Sequence, residues 1–367
     1  MRRPAPVFLA PIAAILVFGC ESRTPVDPPN AAQVPSLAKG GPGGGSGTEF
    51  ATRTALPRLD PNVHGEAYAV NRAGTLIGGY SWDKNGRMHP VTWSQQNGSW
   101  QITAYPWDAT ATSAVIRGVN DQGDKAGQFF PSSAPRPVLW NAAGSFTVLG
   151  CSELGAAYAL SAGAQVAAGG YNVPPTAIPK VWRPGQCGET LPPLNAGASG
   201  LAYAVSGDGT IVGGNSAGFP VRWRRVSGVW LVEQLDSRRG TVFGANSAGD
   251  LVGTVGSACP PLPDGCSLDV GIVWYVNGGS RVLPTLGGPA TTARAINSAR
   301  EVVGASSLAN GNGFPFVWSE TLGIRQLPLS DGGYGFAISD VRADGTRIVA
   351  GAGGRPFSAQ VWVVRNP

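Results

Sequence analysis

The chain is short of histidine and of charged side chains. Only two of its 367 residues are histidines, His64 and His89, and only 13% are Asp, Glu, Lys or Arg. Metal sites need clustered His, Cys, Asp or Glu ligands, and no such spacing occurs, so we expect no metal and no other cofactor. The formal net charge of +5 is small and scattered, which argues against a nucleic-acid partner.

The sequence also lacks a convincing catalytic motif. Residues 214–218 read GNSAG, but the Gly-x-Ser-x-Gly elbow needs a strand-to-helix turn, and here the segment joins two predicted strands. Asp208-Gly209 and Asp344-Gly345 are isolated pairs, whereas a calcium loop needs several oxygen ligands at fixed spacing, so both indicate hairpin turns. We therefore assign no catalytic residue and expect binding rather than catalysis.

The N-terminal region resembles a bacterial lipoprotein precursor. Residues 1–19 begin with Arg2 and Arg3 and continue as an apolar run that stops at Cys20. The run is too short for a comfortable transmembrane span, and no later window is apolar and long enough to form one. Residues 20–49 are rich in Pro, Ala, Ser and Gly and predict a flexible tether. We expect a signal peptide, a lipid on Cys20, and a cell-envelope location at the outer membrane, periplasmic or surface-exposed. An ordinary cleaved signal peptide with a chance cysteine is the alternative.

Glycine and proline are abundant, with 54 and 31 residues. This composition, combined with a period, is typical of many short strands and turns. Seven segments repeat a small residue, an aliphatic residue and Asn or Ser, followed by a turn and an apolar run that ends near Gly. Each segment then reaches a tryptophan, at Trp93, Trp140, Trp182, Trp223, Trp274, Trp318 and Trp362.

Repeats of this length predict an all-β fold, a seven-bladed β-propeller of four-stranded blades over residues 50–367. About 44 residues with four short strands is the size of one blade. The repeat tryptophans are expected in the third strand and the small residues near the axis. The last repeat ends soon after Trp362, and Arg53–Asp60 is similar to fourth-strand segments such as Arg281–Leu286. The N-terminal strand should therefore complete the last blade, which leaves no open edge. A linear solenoid with open ends is the alternative.

The repeats resemble the HAF family of extracellular repeat proteins. That family's unit is similar to A-x-x-I-N-x-x-G-x-V-V-G, then H-A-F-x-W, then L-x-T-L-G-G. Here Ala293–Gly304 reads ARAINSAREVVG, Phe314–Trp318 reads FPFVW, and Leu283–Gly288 reads LPTLGG. The likeness extends over residues 50–367, but only His89 occupies the histidine column. The resemblance implies a secreted or surface repeat protein and brings no established chemistry.

Four of the five cysteines follow the predicted lipidation site. Cys259 and Cys266 flank an insertion between strands, and in an oxidising compartment we predict a local disulfide between them. Cys151 and Cys187 belong to adjacent repeats. The even count favours their pairing, whereas an outer-strand position for Cys151 and a turn position for Cys187 separate them. The sequence leaves this pair open.

Aromatic residues outside the tryptophan column concentrate in the first repeat. We predict that Tyr80, Trp82, Arg87, His89 and Trp107 form a patch at one rim of the tunnel, suited to stacking a sugar or gripping a protein. The position before the small residue adds a second column near the axis: Tyr68, Arg117, Tyr158, Tyr203, Phe243, Arg294 and Phe336. In the alternative interpretation, these aromatic side chains fill the interfaces between converging blades.

These features predict a monomeric, lipid-anchored envelope protein. It would contact the membrane through the lipid on Cys20 and act as a binding or scaffolding module for a polysaccharide or a protein. Two alternatives belong to other functional classes: a propeller enzyme that cleaves polysaccharide as a lyase or hydrolase, and a purely structural spacer. Propellers host many activities, so the fold alone does not decide between them.

Overall fold

A computed structural model describes the chain over residues 50–131, 134–151, 153–163, 166–173, 176–258, 267–354 and 357–365. The predicted signal peptide and tether, Cys20, and the Cys259–Cys266 pair lie outside these residues and stay predictions. The described residues contain β-strands and no helix, so none of them forms a helical membrane span.

The strands form seven antiparallel sheets of four, and each sheet is one blade whose first strand lies nearest the axis. Blade 1 consists of β2 (Gly65–Val70), β3 (Leu76–Trp82), β4 (Met88–Gln96) and β5 (Ser99–Ala104). Blade 2 consists of β6 (Ala111–Val119), β7 (Lys125–Pro131), β8 (Arg136–Trp140) and β9 (Phe146–Val148). Blade 3 consists of β10 (Ala156–Leu160), β11 (Ala167–Val173), β12 (Thr176–Trp182) and β13 (Glu189–Thr190). Blade 4 consists of β14 (Gly200–Val205), β15 (Ile211–Ser216), β16 (Phe219–Val226) and β17 (Val229–Gln234). Blade 5 consists of β18 (Gly240–Ala245), β19 (Leu251–Ala258), β20 (Ser267–Trp274) and β21 (Ser280–Val282). Blade 6 consists of β22 (Thr291–Ile296), β23 (Val302–Ser307), β24 (Gly313–Ser319) and β25 (Gly323–Gln326). Blade 7 consists of β26 (Gly333–Ile338), β27 (Thr346–Gly353), β28 (Ser358–Arg365) and β1 (Ala51–Ala55).

The N-terminal strand closes the ring, as the sequence predicts. Strand β1 pairs antiparallel with β28, with Ala51 opposite Val364 and Ala55 opposite Gln360. The segment after β1 then enters the interface between blades 7 and 1, where Leu56 packs in one cluster with Trp93. The seven-bladed propeller is therefore confirmed, and the open solenoid is wrong.

The seven repeat tryptophans form the core between blades. All of them lie in the third strand of their blade, and each is at most 2% exposed. Trp223 of blade 4, for example, shares a buried cluster with Val166 and Ala168 of blade 3. Each indole thus bridges two sheets and buries a large apolar area, which confirms the predicted role of the column.

The small residues of the inner strands are required by the close approach of neighbouring blades. A Cβ atom added at Gly118 would lie 2.9 Å from the backbone nitrogen of Leu160 in the next blade, and one at Gly244 would lie 2.6 Å from the carbonyl oxygen of Arg294. Even the Cβ atom of an alanine would therefore be too close to the neighbouring blade at these two glycines.

Cys151 and Cys187 form a disulfide, with their Cα atoms 4.9 Å apart. The expected position of Cys151 on an outer strand is wrong, because it lies in the link after β9 that leads into blade 3. This link folds back over the third strand of blade 3, where Glu153 accepts hydrogen bonds from Lys180 (2.8 Å) and from the indole of Trp182 (3.2 Å). The fold of the link brings the two cysteines together.

The motifs that we interpret as turns are turns in the structure. The Asp208 carboxylate accepts a hydrogen bond from the Thr210 backbone (3.0 Å), and Asp344 does the same with Thr346 (3.0 Å). The GNSAG segment covers the end of β15 and the tight turn into β16. It joins two strands, so it has no strand-to-helix elbow.

Candidate functional site

The innermost strand of every blade has a β-bulge at the same point. Each bulge leaves one residue without a partner on the neighbouring strand, and such a residue bends the strand and re-aims its side chain. The seven bulged residues are the column that precedes the small residue: Tyr68, Arg117, Tyr158, Tyr203, Phe243, Arg294 and Phe336. We call these seven residues the axial ring.

The axial ring lines a cavity of about 210 Å³ on the propeller axis. Turn residues that follow the inner strands, among them Asn120, Asn246 and Asn297, line the same cavity. All seven ring residues are partly exposed rather than buried. They therefore line the cavity, and the aromatic members also pack against members from adjacent blades.

Neighbouring aromatic members of the ring contact one another. The ring centroids of Tyr68 and Phe336 are 5.3 Å apart, those of Tyr158 and Tyr203 are 5.0 Å apart, and those of Tyr203 and Phe243 are 5.7 Å apart. These separations are in the range of favourable aromatic pairs. The contacts give the cavity a firm aromatic wall.

The two arginines of the ring rest on aromatic neighbours. The Arg117 guanidinium carbon lies 4.1 Å from the ring centre of Tyr68, and that of Arg294 lies 4.3 Å from the ring centre of Phe243. Within the part of the chain that the structure describes, neither guanidinium forms an ion pair, and the Nε atom of each is buried without a hydrogen-bond partner. Both arginines therefore bring to the cavity a charge that forms no ion pair among the described residues.

Acidic groups lie near the axial ring without forming an ion pair with its arginines, and one of them, Glu66, is hydrogen-bonded to the Tyr68 phenol. At the turns, Asp340 is paired with Arg72 at 3.0 Å, and Asp121 accepts the backbone N–H of Ala73. Asp269 interacts electrostatically with Arg294, but at a distance beyond an ion pair. The lining side chains are thus three arginines against two aspartates.

Burial sets the protonation of the ring. It raises the pKa values of the Tyr68, Tyr158 and Tyr203 phenols above their ordinary value, so these groups stay protonated at neutral pH. Burial also lowers the pKa of the Arg294 guanidinium, but the ordinary value lies so far above neutrality that the charge is kept. The cavity therefore offers phenol hydroxyls and guanidinium N–H groups.

The five residues predicted as a rim patch form two ring contacts in the structure. Tyr80 is buried and contacts both Trp82, with ring centroids 6.3 Å apart, and Tyr68 of the axial ring, at 5.8 Å. His89 contacts Trp107 edge-on at 4.6 Å. No ring contact joins these two pairs in the described chain, and Arg87 is exposed beside them. The use of the patch for ligand binding stays a prediction.

His89 forms a hydrogen bond with a carboxylate. Its Nε2 atom lies 3.0 Å from Asp83, and the hydrogen bond lowers the pKa of the Asp83 carboxyl to about 2. Across the described residues, no three His, Cys, Asp or Glu side chains are grouped so that they could hold a metal ion. The groups that line the axial cavity are aromatic rings, phenols and guanidinium groups.

Sequence reasoning places the ring column near the axis but does not include it in the candidate site. The signal is present in the repeats, because the same repeat position holds an aromatic residue or arginine in all seven blades. The bulge is what turns this position into the cavity wall, and a bulge is not visible in the periodicity.

Comparisons with known proteins bear on the fold. No family model matches the chain, and no curated protein matches it in sequence. The β-propeller domain of Cps50 (Swd1) from Myceliophteria thermophila superposes with a TM-score of 0.52 at 12% identity, covering 86% of this chain and 100% of that chain. The WD40 β-propeller domain of Doa1 superposes with a TM-score of 0.49 at 15% identity, covering 84% of this chain and 96% of that chain. Virginiamycin B lyase from Staphylococcus aureus superposes with a TM-score of 0.44 at 10% identity, covering 86% of this chain and 99% of that chain. At such low identity, the likeness to the Cps50 domain shows the propeller fold alone.

Proposed function

We propose that this chain is a lipid-anchored envelope protein that binds a polysaccharide at the axis of its propeller. The observation that carries the proposal is the axial ring, in which aromatic rings, phenols and two arginines converge on one cavity. A sugar ring has apolar C–H faces and a rim of hydroxyls, so a site for it combines aromatic walls with a few placed polar groups.

The aromatic contacts also connect the cavity with part of the predicted rim. Phe336, Tyr68, Tyr80 and Trp82 follow one another at centroid separations between 5.3 and 6.3 Å. Tyr80 is buried within this path, so Trp82, which is partly exposed, is the member beyond the axial ring on which a longer sugar chain would stack. The path supports a ligand longer than one sugar and gives Trp82 a role in binding it.

The sequence supports the cellular setting of the proposal. The apolar run that ends at Cys20, together with the Pro- and Gly-rich residues 20–49, favours a lipid anchor and a spacer between membrane and propeller. The resemblance of the repeats to the HAF family favours a protein that acts outside the cytoplasm. We therefore place the propeller in the envelope, where polysaccharides are available as ligands.

The proposal is tested by binding of the full-length protein to immobilised envelope polysaccharides. We expect at least one polysaccharide to bind and Tyr203→Ala and Trp82→Ala to weaken it by about tenfold or more, as for residues that dominate a binding site. Tyr275→Ala is the matched control, because this partly exposed tyrosine contacts Arg300 and Glu320 and does not line the cavity.

Three results would contradict the proposal in different ways. Shortened products in the bound polysaccharide would indicate the lyase or hydrolase. Binding to an envelope protein, with no polysaccharide bound, would indicate a protein-interaction module. Absence of any ligand, with all variants folded, would favour the structural spacer.

The anchor is tested separately. In a bacterial host, the wild-type protein should carry lipid by mass spectrometry and sediment with membranes, whereas Cys20→Ser should do neither. Equal membrane association of both proteins, with no lipid mass on either, would overturn the lipid anchor and leave the binding proposal intact.

A further inference from the structure

The two arginines of the axial ring face one cavity from well-separated blades. Arg117 belongs to β6 of blade 2 and Arg294 to β22 of blade 6, with blades 7 and 1 between them on the shorter way around the ring. Both line the same cavity of about 210 Å³. Their charges therefore converge on the axis from nearly opposite sides.

This arrangement is unfavourable for the empty protein. Like charges in a shared, partly desolvated space repel each other, and a buried N–H group without an acceptor costs free energy. The Nε atoms of Arg117 and Arg294 are both buried and have no hydrogen-bond acceptor among the described residues. Local violations of this kind concentrate at functional sites.

The stacking of the arginines leaves them free to bind an anion. The guanidinium carbon of each arginine lies over the ring of its aromatic neighbour, and a parallel contact of this kind would use the face of the guanidinium and leave its N–H edge available. That edge carries a fork of donors that matches a carboxylate with two parallel hydrogen bonds. The phenols of Tyr158 and Tyr203 add neutral donors beside it.

We propose that the axial cavity binds a carboxylate-bearing sugar unit of an acidic polysaccharide, with Arg117 and Arg294 holding the carboxylate. The inference rests on the proposed function and narrows its ligand from polysaccharide in general to polymers of sugar acids. The size of the cavity agrees, because 210 Å³ is below the range of about 300–1,000 Å³ for drug-sized ligands and admits one ring.

The charge of the ligand is tested by calorimetry on the full-length protein with glucuronate and glucose, which differ in the carboxylate. We expect glucuronate to bind and glucose to bind at least about tenfold more weakly, because hydrogen bonds between charged groups are among the strong ones. Arg117→Gln and Arg294→Gln should each weaken glucuronate binding by a similar factor. Arg53→Gln is the matched control, since Arg53 is exposed on the outer strand of blade 7.

Other anions decide whether the sugar is part of the recognition. Acetate and sulfate should bind far more weakly than glucuronate, since neither provides a ring for the aromatic wall. Equal binding of acetate, or tighter arginine-dependent binding of a glutamate-containing peptide, would overturn the assignment to a sugar acid. Equal binding of glucose and glucuronate would overturn the role of charge.

Thermal unfolding without ligand separates a binding role from a structural one. Because neither arginine has an ion-pair partner among the described residues, Arg117→Gln and Arg294→Gln should unfold at or above the temperature of the wild type. A marked drop in unfolding temperature for both would show that the arginines serve the fold, which would overturn the inference.

The failure of this inference can be told apart from failure of the proposed function. If both glutamine variants bind polysaccharide as the wild type does while Tyr203→Ala does not, the proposed function stands and the sugar-acid inference falls. If the wild type binds glucuronate through both arginines but no polysaccharide, the proposed function falls and the cavity is a small-molecule site.

Discussion

The indole Nε1 atom of Trp93 donates a hydrogen bond of 2.7 Å to the carbonyl oxygen of Pro57. Pro57 belongs to the link that enters blade 1, so this bond ties the third strand of the blade to its own entry segment. The same relation recurs at three other blades, in the pairs Trp140–Pro106, Trp223–Pro192 and Trp362–Pro328. The proline carbonyl is therefore a repeated acceptor for the tryptophan column.

The energy of this bond is measurable by comparing two tryptophans. Trp93 and Trp274 are both buried, but the Nε1 atom of Trp274 has no hydrogen-bond partner among the described residues. Replacement of tryptophan by phenylalanine removes a similar apolar volume at both sites, but only Trp93→Phe leaves a hydrogen-bond acceptor unpaired. Trp93→Phe should therefore lower the free energy of unfolding by about 1 kcal/mol more than Trp274→Phe. Urea unfolding checks this, and equal losses would contradict it.

The closing strand should be essential to the ring. Deletion of residues 52–60 removes most of β1 and the Leu56 side chain that packs between blades 7 and 1, and it exposes the edge of β28. We expect the deletion variant to unfold or aggregate in gel filtration and circular dichroism. Thr54→Ala, a change at an exposed position of the same strand, is the control. A deletion variant that melts like the parent would argue against closure.

The Cys151–Cys187 disulfide should stabilise the link into blade 3. Its cysteines are 36 residues apart, and closing a loop of that length contributes about 2–4 kcal/mol to the free energy of unfolding. Cys151→Ser/Cys187→Ser should lose that amount by urea unfolding. Peptide mapping without reductant should recover the two cysteines in one cross-linked peptide pair, and their recovery as free thiols would disprove the bond.

Lys125 should make the stability of the propeller depend on pH. Its side chain is 1% exposed, donates to the carbonyl of Asn141 (2.9 Å) and lies 4.3 Å from the ring centre of Tyr105. Burial lowers the pKa of the Lys125 amine from 10.5 to about 8. Between these values the unfolded chain binds more protons than the folded one, so the free energy of unfolding should rise with pH by about 1–3 kcal/mol across this window.

The variant Lys125→Met isolates this effect. It keeps an apolar stem of similar length and has no proton to lose, so its unfolding free energy should not show the rise above pH 8. The tyrosines, whose burial acts in the opposite direction at higher pH, are common to both proteins and cancel in the difference. Parallel pH curves for the two proteins would refute the prediction.

The repeats by themselves determined the architecture of this protein. Blade number, the third-strand position of the tryptophans and the completion of the last blade by the N-terminal strand all follow from the order of residues along each repeat, because every blade solves the same packing problem. Trp362, close to the C-terminal end, and Arg53–Asp60, ahead of the first repeat, were enough to predict the closure.

Contacts between residues far apart in the chain were decided only by the tertiary structure. Cys151 meets Cys187 because a link folds back over the third strand of blade 3, and nothing in the local sequence indicates that path. Within the predicted rim, the contact between His89 and Trp107 likewise joins residues that are far apart in the sequence of the first repeat.

The axial site depends on the repeat pattern of the sequence and on the tertiary structure together. Its seven positions are marked in the repeats, since one column holds an aromatic residue or arginine in every blade. That this column lines a cavity depends on the bulge in each inner strand, and that Arg117 and Arg294 keep their charge unpaired depends on which carboxylates the surrounding blades place near them. A sequence determines the period of its repeats, whereas the neutralisation of a charge depends on distances between segments far apart in the chain.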